Sequence, residues 1–227
     1  MLYDLHTHTN LSDGKLSVDE LAKQAKANMY TAMAITDHVD EYNYQEILLY
    51  LLNQSLIASR DHDLVVLAGV ELTGIHPSKI AKIAKDARSH GAQIIIVHGE
   101  TLKEKVAVGT NKAAVECNEI DILAHPGLIS NDLAKTAKDN NVHLELSSRQ
   151  FHSITNGHVA RVGLEEGSKI IVNSDTHEKE DLLTIEKARS IAIGSGLNDK
   201  EAAKALVSNP GLIIKKALEQ APKSSNL

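Results

Sequence analysis

The sequence has no tryptophan, one phenylalanine, one cysteine and four prolines in 227 residues, and each scarcity excludes something. A lone Cys117 rules out an intrachain disulfide framework and fits a reducing compartment. With aromatic residues at 3 %, the core must be built from Ile, Leu, Val and Ala. No apolar run approaches the roughly 18 residues of a membrane span. The chain opens into a strand pattern rather than a basic segment followed by an apolar one, so the expectation is a cytoplasmic protein without membrane contact. A net charge of −6 and the lack of a basic, aromatic-interleaved strip argue against extended nucleic-acid binding. No repeat, low-complexity tract or Pro/Gly-rich linker divides the chain, which reads as one domain over residues 1–227.

What is present is an alternation of short apolar runs with helical patterns. Ser17 to Met29 reads as a helix, with Ser17 and Glu20 forming a capping box. Strand patterns follow at Thr31–Thr36, Leu64–Val70, Gln93–Val97, Ile120–Ala124, Val142–Ser147 and Lys169–Asn173, after a first run at Met1–Leu5. Helical patterns fill the gaps: one through Ile47 and Leu52, then Ser78–His90, Asn111–Asn118, Ser130–Asn140 and Thr155–Glu166. Residues 181–220 read as further helices, and 221–227 as a polar, frayed tail. Continuous rather than alternating apolar runs mean strands buried on both faces, hence parallel βαβ units.

Candidate ligands end almost every strand: His6 and His8 after the first, His38 after the second, then Glu71, His98, His125, and the Asp175/His177 pair. Side chains at i and i+2 of an extended chain point the same way, so His6-Thr7-His8 can offer two imidazoles to one ion. A barrel gathers all strand ends at one mouth, whereas an open sheet spreads them along a line. Convergent ligands therefore favour a barrel. Glu71 closes a long apolar strand, where an uncompensated carboxylate is costly, so a cation is expected beside it. Asp13, in the turn-forming Ser12-Asp13-Gly14, joins as a further oxygen donor. His62, His76, His90, His143, His152 and His158 lie off the strand ends and read as surface or packing histidines.

In order along residues 1 to about 180, His6-Thr7-His8-Thr9, Ser12-Asp13-Gly14, Ile35-Thr36-Asp37-His38, Gly69-Val70-Glu71, His98, Ala124-His125-Pro126-Gly127 and Asn173-Ser174-Asp175-Thr176-His177 resemble the PHP (polymerase and histidinol phosphatase) family. The resemblance implies a distorted (β/α)7 TIM-like barrel with a trinuclear metal site at its C-terminal mouth. It implies one ion on His6, His8, Glu71 and Asp175, a second on Glu71, His98 and His125, and a third on Asp13, His38 and His177. Two or three divalent ions are expected, zinc first, with the oxygen donor Asp13 shifting the third site toward manganese or iron.

The activity so implied is hydrolysis of phosphate esters on a small phosphorylated metabolite, histidinol phosphate being one example, by a metal-bound hydroxide at the Glu71-bridged ions. Arg149 and Lys15 are the candidate phosphate contacts, and Asp37 and Glu145 the candidates for orienting ligand histidines. The short stretch between Glu71 and His98 leaves no room for a long substrate-covering insertion. Two rival readings remain: a 3′–5′ exonuclease or oligonucleotide phosphodiesterase, and a non-catalytic, metal-stabilised module of a larger assembly. Neither oligomeric state nor the general acid follows from the sequence.

Overall fold

The computed structural model describes residues 1–220; the tail expected to fray, 221–227, lies outside the described residues. The apolar runs become β1 (Tyr3–Asp4), β2 (Ala32–Ile35), β3 (His38–Val39), β4 (Val65–Leu72), β5 (Ile94–His98), β6 (Ile122–Ala124), β7 (His143–Ser147) and β8 (Ile170–Asn173). Every pairing is parallel, in the order β1-β2-β4-β5-β6-β7-β8, with β3 also on β4. Ile35 opposes Ala68 and His38 opposes Glu71, the same offset, so β2 and β3 are one strand interrupted at Thr36-Asp37. Beyond β1 and β8 the chain closes the ring: Thr7 bridges Thr176, His8 N donates to Thr176 O at 2.8 Å, and Asp175 N donates to His6 O at 3.0 Å. The result is a nearly closed seven-stranded α/β barrel of TIM-like type.

Helices α1 (Val18–Ala27), α2 (Tyr44–His62), α3 (Pro77–Ser89), α4 (Thr110–Val115), α5 (Asn131–Asp139) and α6 (Asn156–Glu166) connect the strands. Ser17 and Glu20 form the expected capping box, and Gly167 ends α6 in the left-handed region that glycine adopts freely. After β8 come α7 (Ile185–Gly194), α8 (Asp199–Ala203), a π turn at Lys204–Ser208, and α9 (Asn209–Gln220). Among the described residues no helix is long and apolar enough to cross a membrane.

The doubly buried strands sort their side chains with period two. In β5, Ile94 and Ile96 face the barrel interior with Leu5, Leu67, Ile122 and Ile171, while Ile95 and Val97 join the layer under the helices. That division is why the runs read as continuous rather than alternating. Ile213, Ile214 and Ala217 of α9 belong to the interior cluster, so this helix plugs the barrel at the end opposite the strand C-termini. Lys216 of α9 adds an ion pair to buried Asp121 at 2.8 Å.

Candidate metal centre

The segments leaving the C-terminal ends of the strands bring the nine predicted donors together. Glu71 was expected to end its strand, but β4 continues to Leu72 because β3 keeps pairing with it, and the carboxylate projects from within the sheet. Its Oε2 lies 3.2 Å from His6 Nε2, 3.5 Å from His8 Nε2 and 2.8 Å from His38 Nδ1. Its Oε1 lies 3.2 Å from His98 Nδ1 and 3.6 Å from His125 Nε2. Each oxygen thus faces its own set of imidazoles. Asp175 Oδ1 stands 3.2 Å from His8 Nε2 and 3.7 Å from His6 Nε2. Asp13 Oδ1 stands 3.0 Å from His177 Nε2 and 3.7 Å from His38 Nε2. Gly14 lets the Asp13 loop fold back on the rim, since a Cβ there would collide with the His8 carbonyl oxygen.

The donors group into sets that could hold an ion, among them His6, His8 and Asp175; His6, Glu71 and His125; His38, Glu71 and His98; and His8, Asp13, His38 and His177. His6 Nε2, both ring nitrogens of His8, His125 Nδ1 and Glu71 Oε2 are buried without a hydrogen-bond partner among the described residues. Orphaned polar atoms carry a desolvation cost of about 1–3 kcal/mol each, more when charged. Cations between these nitrogens and oxygens would satisfy them together, so the residues fit a multinuclear metal group. His8 stacks on His38 with centroids 4.3 Å apart and planes 26° apart.

Outer carboxylates set the tautomers. His6 Nδ1 donates to Glu145 Oε1 at 2.8 Å, which turns Nε2 toward Glu71 and Asp175. Glu145 is itself held by Asn173 Nδ2 at 2.8 Å and the His125 backbone N–H at 3.0 Å. Glu104, which the sequence reading did not single out, stands 3.1 Å from His98 Nε2 and leaves Nδ1 toward Glu71. Burial opposes charge on His6, yet Glu145, Glu71 and Asp175 hold its pKa well above the ordinary range. Burial likewise opposes charge on His98, and hydrogen bonding to Glu104 and Glu71 raises it to about 10. Burial drives His8 down to about 4, which keeps its ring neutral and one nitrogen lone pair available. Against its own burial, Glu71 is pulled well below the carboxylate range by His6 and His38.

Two expectations need correction. Asp37 does not orient a histidine: its carboxylate accepts from Thr9 N and Thr9 Oγ1, both at 2.7 Å, and from Ser12 Oγ at 2.6 Å. Thr36 and Asp37 sit at the break between β2 and β3, so this side chain ties down the loop carrying Asp13 instead. His152, read as an ordinary histidine, lies in the site. Its ring is 3 % exposed, stacks on His125 with centroids 4.1 Å and planes 19° apart, and brings Nε2 to 3.8 Å from Asp175 Oδ2. Thr101 Oγ1 holds its Nδ1 at 2.7 Å. The chain reaches this position by reversing at Phe151, whose φ of 72° no strand-end pattern announces. The remaining histidines of that group are absent from every donor set, although His143 is buried at the start of β7 with both ring nitrogens unpartnered among the described residues.

Arg149 and Lys15 line a cavity of about 370 Å³ beside Asp13, Lys103, Phe151 and His177. Arg149 Nη1 donates to the Asp175 carbonyl at 3.1 Å and approaches His177 Nδ1 at 2.6 Å. The Lys15 ammonium is paired with Glu178.

Comparison with known proteins bears on this site. The PHP domain family model matches residues 4–139. An uncharacterized protein of Methanocaldococcus jannaschii is 42% identical over 221 residues, covering 95% of this chain and 100% of that protein. Ribonuclease P protein component 3 of Methanosarcina barkeri is 29% identical over 227 residues, covering 93% of this chain and 88% of the relative. Among solved structures, histidinol phosphate phosphatase of Lactococcus lactis, complexed with zinc, L-histidinol and phosphate, superposes with a TM-score of 0.57 at 17% identity, over 87% of this chain and 94% of that one.

Proposed function

The chain belongs to the PHP domain family, and on that premise we propose that it is a metal-dependent phosphoesterase acting on a small phosphorylated metabolite, histidinol phosphate or a compound like it. The observation that carries this reading is Glu71, a buried carboxylate whose two oxygens face separate imidazole sets, with ring nitrogens of His6, His8, His38, His98 and His125 at 2.8–3.6 Å. His6, His8, Glu71 and Asp175 would hold one ion, Glu71, His98 and His125 a second, and Asp13, His38 and His177 a third. The contacts support the division: Asp175 Oδ1 lies 3.2 Å from His8 Nε2, and Asp13 Oδ1 lies 3.0 Å from His177 Nε2. Divalent cations there, zinc before manganese or iron, would activate water and neutralise charge developing on the phosphoryl group.

The protein's own groups supply the rest. Glu145 and Glu104 keep protons on the outward nitrogens of His6 and His98, so the inward nitrogens stay free. A proton on His177 Nδ1 and the Arg149 donor at 2.6 Å exclude one another. With that proton directed to the Asp175 carbonyl at 3.0 Å, Arg149, 3.7 Å from Asp175 Oδ2 and 3.8 Å from Asp181 Oδ2, would turn its remaining donors to phosphate oxygens in the cavity. Lys15 is the weaker phosphate contact, because Glu178 already neutralises it.

The kinship with ribonuclease P protein component 3 supports a second reading, an RNA-associated module in which the donors serve stability. Protein purified without chelator is expected to carry two or three ions per chain and to hydrolyse members of a phosphomonoester panel in preference to short oligonucleotides. Turnover of oligonucleotides alone would shift the reading to a nuclease. Absence of turnover on both classes by metal-loaded protein would overturn the enzymatic reading in favour of the module.

A further inference from the structure

Helix α2 is apolar on two opposite faces, and the barrel uses one of them. Leu48, Leu51, Ser55 and Ala58 are buried against the sheet and the neighbouring helices. On the far side Leu49 and Leu56 are each 72% exposed, Tyr50 49% and Ile57 36%. These four are not scattered. They occupy i, i+1, i+7 and i+8, which one face of an α-helix presents as a single stripe. Exposed Glu46 stands one turn before the stripe, exposed Arg60 one turn after it, and exposed Asn53 in its middle. Positions 46, 49, 50, 53, 56, 57 and 60 are evenly spaced about residue 53, apolar near the middle and of opposite charge at the two ends.

The opposite charges at its two ends fit a second copy of the same stripe running the other way. Two copies of α2 laid antiparallel across a two-fold axis at Asn53 bring Leu49 opposite Ile57 and Tyr50 opposite Leu56. Each Glu46 carboxylate then meets the Arg60 guanidinium of the other copy, whose Nε lies 3.0 Å from its own Asp61, at both ends of a seam about 21 Å long. The stripe is thereby complementary to a second copy of itself, which is what an isologous contact requires. We propose that the exposed face of α2 is the seam of a homodimer, with Asn53 on the axis, the four apolar side chains as its centre and Glu46–Arg60 pairs as its rim. One helix face lies at the low end of specific interface sizes, roughly 1,200 Å² in total, so the dimer dissociates on dilution.

Sedimentation velocity on the full chain over a concentration series tests this. The expected result is a monomer–dimer equilibrium, with Leu56→Asp monomeric throughout and unchanged in far-UV circular dichroism, because the side chain is exposed. Glu46→Arg and Arg60→Glu should each raise the dimer dissociation constant about tenfold or more. Mixing those two variants should restore association, and the double variant should again dimerise with itself. Asn53→Cys should cross-link to a covalent dimer under mild oxidation, since the native Cys117 is buried. A chain that stays monomeric at every concentration would overturn the proposal. So would a dimer indifferent to Leu56→Asp that fails to cross-link at position 53.

Discussion

The Glu145 carboxylate lies 2.8 Å from Nδ1 of His6, although 139 residues separate them, and both side chains are fully buried. The pair fixes which nitrogen of His6 faces the centre. Glu145→Gln keeps the shape but presents an amide N–H to Nδ1, favouring the tautomer whose proton sits on Nε2. Metal affinity is expected to fall about 10- to 100-fold with the fold retained, measured by competition with a chelator.

The two Glu71 oxygens lie on different imidazole sets, so its removal should be felt by two ions together. Glu71→Gln is expected to lose at least two ions per chain in elemental analysis, and phosphatase turnover with them. Chelation of the unsubstituted protein should lower its thermal midpoint, since ions held at about a hundred times their dissociation constant contribute about 2.7 kcal/mol to folding. A variant that kept every ion would remove Glu71 from the proposed bridging role.

His152 offers a sharper discrimination. With His125 and Asp175 it forms a set that could hold an ion, and its Nε2 approaches the side of Asp175 that faces His125. For a positioned donor rather than a ligand, His152→Ala is expected to keep the metal content of the parent while lowering kcat on a phosphomonoester by about 10²-fold. Loss of metal in this variant would make the residue a ligand instead.

His143 sets a pH dependence remote from the candidate metal donors. Burial lowers its pKa from 6.5 to about 4, with the Lys169 charge adding to the effect. The unfolded chain therefore binds the proton first, and stability falls as pH drops from about 6.5 to 4. The shift corresponds to roughly 3 kcal/mol at the acidic end of that window. His143→Leu is expected to lose correspondingly less than the parent when urea midpoints at pH 7 and pH 4.5 are compared. Parallel losses in the two proteins would show that another group carries the acid sensitivity.

Much of this arrangement was legible in the sequence because strand ends are legible. Runs such as Ile94 to Val97 mark a doubly buried strand, and a parallel barrel delivers whatever follows each strand to one rim. His98 and His125 could be found that way without coordinates. His152 could not, since its place depends on the reversal at Phe151 rather than on any periodic signal. Nor could the partners of Asp37, because a carboxylate beside a histidine in sequence can turn either to that ring or to a neighbouring loop. The second apolar face of α2 was hidden by the first: Ile47, Leu48, Leu51 and Leu52 already account for a helix.

The stopper formed by Ile213, Ile214 and Ala217 also bears on how the molecule is made. A ribosome emits the first strand about two hundred residues before the helix that seals the cylinder, and the first strand has no neighbour on its β8 side until Thr176 emerges. The oil-filled lumen cannot be completed while synthesis is still under way at the middle of the chain. Until α9 docks, the nascent polypeptide must keep its aliphatic interior from competing encounters by other means.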